Sequence, residues 1–354
     1  DKPLKKLKFK DIKSSDDFKN LSSKKHSEIS LDIFHNTSEK NFRLEISPLD
    51  VILIESIAAK SIHLKSVCYV NYGCRLVSKN GTKKKSDYVF DSNEEGTLSK
   101  FIEGKNIRRY QILGHKFVDY QPSEHYLPLF KELFDNKKIV SKDVVGKDGI
   151  QIAFDEIGLY DDHTIINAIR WIDLADVTYK NVAKEIKSIN LELTNSFSYG
   201  YLLACLNSKI ANYIFNRLYN IDLHFYPKTL QLMPIYKEEI PIVNVASNYI
   251  LDLYKKTSLG NNTTSKQVAH EFEEVIDAIF YESYFPTKFE SKGIEIKKHA
   301  RELFVPIGGL SDEEKLEQIK SVYEKLREKK NPLRNQIKLM KIELKDLLLP
   351  ILSV

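Results

Sequence analysis

KKIVSKDVVGKDGIQIAFDEIGLYDDHT, residues 137–164, alternates between two kinds of text. KKIVSKDVV and IQIAF are β-type runs, and GKDG between them is a turn signal. DEIGLYDDHT then supplies the Asp and Gly that turns demand. Short apolar runs broken by polar turns predict strands of a sheet, with loops free to carry function.

The same texture extends outward from Ile62 to about Ile166, through SVCYVNY, SDYVF and KFVDY, with KNGTKKKSD, EEGT and EGKN as the separating turns. This predicts a twisted, mostly antiparallel sheet. Downstream the period changes. Leu202, Leu203, Leu206, Ile210, Tyr213, Ile214 and Leu218 fall on one stripe, predicting one amphipathic helix over 199–219. YPKTLQLMPIYKEEIPIV, residues 226–243, carries three prolines and predicts an extended segment hugging the surface. Helices follow from about Ser247 to Lys256, after a capping-box spacing at Thr264 and Gln267, and after a second at Ser311 and Glu314. KKNPLRN breaks that helix, and a last one runs from about Leu333 to Leu349. Upstream, Ser47, Pro48 and Asp50 stand as N-cap, N1 and N3 of a helix. The chain therefore reads as α+β. A lead-in with a strand or two and a helix spans 1–60, with apolar alternation only in pieces such as LDIF and FRLEI. A sheet-rich recognition domain spans 61–245 and a helical C-terminal domain 246–354.

Composition narrows the function. Of 354 residues, 42% are hydrophobic and 29% charged, which is globular rather than disordered. The formal net charge of +5 is a mild basic excess, compatible with nucleic acid. Cys68, Cys74 and Cys205 form no CxxC pair, so neither a zinc knuckle nor a disulfide framework is expected, and a reducing cytoplasm is. No apolar run reaches the roughly 18 residues of a membrane span. The opening DKPLKKLKFK lacks an initiator Met and is too charged for a signal peptide, so a fragment of a longer polypeptide is expected.

Catalytic motifs are missing: no GxxxxGK[ST], GxGxxG, GxSxG, HExxH or EF-hand loop occurs. Asp155, Glu156, Asp161, Asp162 and His163 form the nearest acidic cluster. They read either as a polar turn or as carboxylates for Mg²⁺ in a metal-dependent nuclease. His115, His125 and His224 stand alone. A binding module is the leading expectation. The alternatives are the nuclease using Asp155, Asp161 and Asp162, and a protein-interaction module working through its helical tail.

Four segments in register resemble the TaqI-like target-recognition region of adenine-specific DNA methyltransferases and fused type II restriction-modification enzymes. They are VCYVNYGCRLVSKNGTKKKSDYVF, then FIEGKNIRRYQI, then YLPLFKELFDNKKIVSKDVVGKDGIQIAFDEIGLYDDHTIINAI, then YGYLLACLNSKIANYIFNRLYN with EEIPIV. The second is similar to the family's Gly-Lys-Asp-Ile-x-Arg-Tyr, with Asn106 in place of Asp. The third matches Ala-x-Asp-x-x-Gly-x-Tyr at Ala153, Asp155, Gly158 and Tyr160. The match covers roughly residues 60–245, and FEEVIDAIFYESYFP extends it to about 290. The family's Asn-Pro-Pro-Tyr/Phe motif and S-adenosylmethionine loop, normally upstream, are not in this chain. The resemblance implies double-stranded DNA as partner, no cofactor held by this chain, and a methyltransferase domain or subunit elsewhere. That parent enzyme would use S-adenosylmethionine, with Mg²⁺ if an endonuclease is fused. An independent specificity subunit is the other possibility.

Lys and Arg on loops neutralise phosphates, and Arg, Asn or Gln read base edges. The loop NYGCRLVSKNGTKKKSD offers Lys83, Lys84 and Lys85 for phosphate and Asn71 or Arg75 for bases. In GKNIRRY, Lys105, Arg108 and Arg109 reach the DNA backbone while Tyr110 packs below. The alternative there is that Arg108 or Arg109 pairs with Asp119 or another core carboxylate. Lys142, Lys147, Tyr226 and Lys228 are further candidates, and Phe197 and Tyr199 either stack on a base or belong to the core.

Overall fold

The computed structural model describes residues 6–10, 12, 15–30, 46–146, 149–220, 223–256 and 263–353. At the N-terminus, β1 (Lys6–Phe9) pairs antiparallel with β2 (Ser27–Ser30), with α1 (Ser15–Lys19) between them. The runs LDIF and FRLEI lie outside the described residues except for Ile46. Helix α2 (Pro48–Ala59) starts where Ser47 and Asp50 predict. Asp50 N–H donates to Ser47 Oγ at 3.1 Å, and Ser47 N–H donates to Asp50 Oδ2 at 2.8 Å.

The strands follow in short pieces: β3 (Ser61–His63), β4 (Cys68–Tyr72), β5 (Val89–Phe90), β6 (Ser99–Ile102), β7 (Ile107–Arg108), β8 (Gln111–Ile112) and β9 (Lys116–Val118). After a single helical turn, α3 (Glu132–Asp135), come β10 (Lys138–Lys142), β11 (Ile152–Asp155), β12 (Tyr160–Asp161) and β13 (Ile165–Arg170). The main sheet has the order β11-β10-β13-β4 and is antiparallel throughout. A smaller sheet, β12-β6-β9-β5, contains one parallel pair, β12 with β6.

The helices are α4 (Lys180–Glu185), α5 (Leu191–Asn195), α6 (Tyr199–Asn207), α7 (Lys209–Ile214) and α8 (Pro227–Leu232), followed by strand β14 (Pro234–Tyr236), which pairs with β3. Then come α9 (Pro241–Lys256), α10 (Thr263–Tyr284), α11 (Pro286–Glu290), α12 (Ile296–Leu303), α13 (Asp312–Arg327), α14 (Pro332–Glu343) and α15 (Lys345–Leu352). The fold is α+β. Among the described residues no helix is long and apolar enough to cross a membrane.

Four expectations are corrected. The single helix over 199–219 is two, because Ser208 leaves the helix and caps the next one through Ala211 N–H at 3.1 Å. The segment 226–243 is not an extended surface strip: Leu230, Met233 and Ile235 are fully buried, and each proline begins an element. The helix placed from Ser247 starts at Pro241, and the last helix is divided at Leu344.

Side-chain alternation puts the main sheet between two layers. Ile139, Ile152 and Ile166 face the helices, in a core that runs on to Leu348 and Ile351. Val140, Ala153 and Ile165 face the other way, against Ile102 and Ile107. Ile169 and Trp171 close that side with Phe101, Val118 and Phe134 of the smaller lobe. The division expected at 245/246 falls inside α9, whose Val243, Ala246 and Ile250 enter the same core as Val70 and Ile152. The outer edge of β11 is closed by helix side chains. Asn207 accepts from Ile152 N–H at 3.3 Å and donates to Ile152 O at 3.0 Å, and Asn212 accepts from Ile150 N–H at 2.8 Å.

Candidate nucleic-acid interface

The register of the main sheet collects several loops at one end. Lys142 lies opposite Ile165, Ile166 opposite Tyr72, and Ser141 opposite Ile152. The C-terminal ends of β4 and β10 therefore meet the N-terminal ends of β11 and β13. Cys74 bridges Asp162 beside them, which carries Arg75 to this end. The loop Gly104–Asn106 is tied on by Gly104 N–H donating to Thr164 Oγ1 at 2.9 Å. A Cβ on Gly104 would stand 3.0 Å from Thr164 O, so a larger residue would push the loop away. Segment 223–228 joins through Phe225 N–H donating to Asp143 O at 2.6 Å. Arg75, Lys105, Arg108 and Lys228 are exposed here, and Asn71 and Lys142 are half-buried. Asn71 Nδ2 donates to Tyr69 OH at 3.0 Å and its Oδ1 accepts from Tyr72 N–H at 2.9 Å, so a base would have to displace both partners. Burial, then the Asp143 carboxylate and Tyr226, push the Tyr72 phenol up. Lys147 lies outside the described residues.

The cations divide by what they touch. Lys85 binds both Glu103 and Asp162. Burial pulls its ammonium down, but the hydrogen bonds to Asp162 and Glu103 outweigh that and hold it above the ordinary lysine value. Lys105 also reaches Glu103, at 2.6 Å, and Lys83 reaches Glu124 at 3.2 Å. Arg108 spends Nη1 on its own loop, donating to Lys105 O at 3.0 Å and Ile107 O at 2.7 Å. Arg75, Lys84 and Lys142 make no side-chain hydrogen bond or ion pair among the described residues.

Arg109 turns inward. Its Nε donates to Glu273 Oε2 at 3.0 Å, with a second bond from Nη2, and so docks the β7–β8 hairpin on α10. This is the carboxylate-paired alternative, with Glu273 rather than Asp119 as partner. Tyr110 beside it is buried at a positive φ of 61°, with its N–H donating to Ile152 O at 2.9 Å.

The acidic cluster is dispersed. Asp155 and Lys138 form a fully buried pair at 2.7 Å, facing each other in the β10–β11 register. Lys138 Nζ also donates to Phe134 O and Leu159 O, each at 2.7 Å, so all three of its donors are used. Asp155 accepts from Ile157, Gly158 and Leu159 N–H at 3.1, 3.0 and 2.7 Å. Gly158 has φ of +78°, and a Cβ there would stand 2.6 Å from Asp135 O. The Ala-x-Asp-x-x-Gly-x-Tyr segment is thus a folding staple.

Asp161 is buried, and burial pushes its carboxyl up to about 7 against the pull of Lys138 and the Asn167 hydrogen bond. Its Oδ1 accepts from Asn167 Nδ2 at 2.7 Å, while its Oδ2 and Asn167 Oδ1 have no hydrogen-bond partner among the described residues. Asp162 holds Lys85 and Thr164. The three carboxylates therefore serve three different partners, and among the described residues no group of three His, Cys, Asp or Glu could hold a metal.

Phe197 and Tyr199 belong to the core, with Tyr199 OH 2.8 Å from both Lys137 O and Asp173 Oδ2. His125 is buried against Tyr120 and Tyr88, while His115 and His224 are exposed. The cysteines are free and buried, and burial pushes all three thiols up. Lys138 and Glu273 escaped the sequence reading. For Lys138 the signal was its place opposite Asp155 across a hairpin. Glu273 has none, being 164 residues from Arg109. No protein-family model and no curated protein matches this chain.

Proposed function

We propose that the chain is a sequence-specific reader of double-stranded DNA. It would serve an adenine-N6 methyltransferase, or a fused restriction-modification enzyme, whose catalytic part lies outside these residues. One observation carries the reading: loops from four strand ends and a neighbouring 3₁₀ turn bring Arg75, Lys105, Arg108 and Lys142 to a single end of the sheet. Glu103 and Asp162 hold Lys85, and Glu103 also pairs with the exposed Lys105, so a phosphate would compete with Glu103 for Lys105, while Arg75 and Lys142 carry no ion pair among the described residues. Neutralising phosphates releases counterions, so grip of this kind falls steeply with salt. Asn71, at the end of β4, is the base-reading candidate, since a side-chain amide matches the paired donor and acceptor of adenine. S-adenosylmethionine would bind the catalytic part, as would Mg²⁺ if an endonuclease accompanies it.

The test is selection of duplexes from a randomised pool, followed by titration of the retained sequence at several salt concentrations. The expected outcome is one enriched sequence and a salt slope that drops by about 3 in a Lys105→Ala/Arg108→Ala/Lys142→Ala variant. Equal affinity for unrelated duplexes at moderate salt overturns the specific reading, and an unchanged slope in the triple variant overturns the placement of the site.

A further inference from the structure

A second exposed surface continues from Arg75 onto the smaller lobe. It is made of two short segments, Arg75–Lys79 and Glu124–Leu127. Tyr126 N–H donates to Val77 O and Lys79 N–H to Glu124 O, both at 2.9 Å, and Ser78 bridges His125. Burial alternates along them. Leu76, Ser78 and His125 point inward, whereas Arg75, Val77, Lys79 and Tyr126 point out. Val77 is 41%, Tyr126 52% and Leu127 62% exposed; Val77 and Tyr126 lie side by side across the pair, with Leu127 exposed next to them in the chain.

Leu127 has φ of 53°. That conformation crowds a Cβ and belongs by preference to Gly or Asn. A leucine here gains little from burial and works against its own backbone, and strain of this kind gathers at functional positions. The charge beside it is also uncompensated. Lys79, like Arg75, makes no side-chain hydrogen bond or ion pair among the described residues, and the one carboxylate nearby, Glu124, is taken by Lys83 at 3.2 Å. A shallow cleft of about 360 Å³ opens there, lined by Ser78, Lys79, Asn80, Thr82, Lys83 and Glu124 among others.

We infer that this lobe makes a second contact with the same DNA. Lys79 in its cleft takes a backbone phosphate, and Tyr126 with Leu127 presses against the sugar and base edges next to it. Continuity favours DNA over a protein partner: Arg75 belongs to both surfaces, held at the sheet end by the Cys74–Asp162 bridge. An aromatic ring between cations suits a strand whose phosphates alternate with apolar faces. The inference rests on the DNA-reading function proposed above.

The experiment measures anisotropy of the full chain with the selected duplex, alongside thermal unfolding. Leu127→Gly relieves the backbone, so its unfolding temperature stays level or rises, and any loss of binding is a lost contact rather than a lost fold. A Tyr126→Ala/Leu127→Gly variant is expected to bind about tenfold more weakly with an unchanged salt slope. Lys79→Ala is expected to lower the slope by about 1. If the Tyr126/Leu127 variant binds as the parent does while the Lys105/Arg108/Lys142 variant fails, this second contact is wrong and the sheet-end site stands. If the Tyr126/Leu127 variant alters only the sedimentation coefficient, the face is a protein interface and the inference is overturned. If the parent chain retains no duplex, both readings fall together.

Discussion

KNIRRYQI (105–112) and KNGTKKKSDY (79–88) look alike as text, each a turn packed with cations and closed by a buried tyrosine. The molecule uses them in opposite ways. In the first, Arg109 and Tyr110 are drawn inward against Glu273 and Ile152, so one of its three cations becomes a clamp between the sheet and α10. In the second, only Lys85 turns in, and Lys79 and Lys84 stay outside with no side-chain hydrogen bond or ion pair among the described residues. A charge run thus says little about its task. What decides is whether a neighbouring element offers a carboxylate at the right depth.

That contrast can be broken by stability measurements. The largest effect is expected where both charges are fully enclosed. Asp155→Ala strands Lys138 and should cost about 3–5 kcal/mol in urea unfolding, much of it recovered by adding Lys138→Met. Asp161 comes next. Its folded pKa of about 7 lies above the unfolded value of 3.8, so its contribution is complete at acid pH and is lost as pH rises through about 7. Asp161→Asn supplies a permanent donor facing Asn167, and it should gain on the parent by about 2–3 kcal/mol between pH 5 and pH 8. Stability of the two proteins changing in parallel over that window would refute a neutral Asp161. Arg109→Ala is expected to cost about 2 kcal/mol, tempered because the Arg109 and Glu273 side chains keep 26% and 17% exposure. Loss of DNA grip without loss of stability in that variant would return Arg109 to the outward class. The smallest effect belongs to Lys84→Ala: stability unchanged within about 0.5 kcal/mol, with a salt slope lower by about 1.

Local signals were legible where one turn of chain settles the matter. Ser311 with Glu314 forms the capping box that its spacing predicts, and Ser47 caps α2 with Asp50 at N3 as expected, whereas α10 already begins at Thr263, one residue ahead of the cap expected at Thr264. Strands β4, β10 and β11 of the main sheet were legible from their apolar runs, but β13, which begins where that texture stops, was not among them. The prolines of 226–243 were misread, because Pro227 and Pro241 open helices and Pro234 opens a strand, positions where a missing N–H costs nothing. Of the candidate site, the exposure of Arg75, Lys105 and Lys84 follows from their turns. The inward course of Arg109 does not, since its partner arrives from a helix far along the chain. Leu127 left no trace in the sequence, because nothing in LPLF marks a left-handed leucine.

The amides of Asn207 and Asn212 that close the edge of β11 bear on any attempt to transplant specificity. A graft cut after the sheet would leave the N–H groups of Ile150 and Ile152 without their acceptors at that edge, an opening for pairing with another chain. Recognition loops can be exchanged singly. The sheet travels only with its helices.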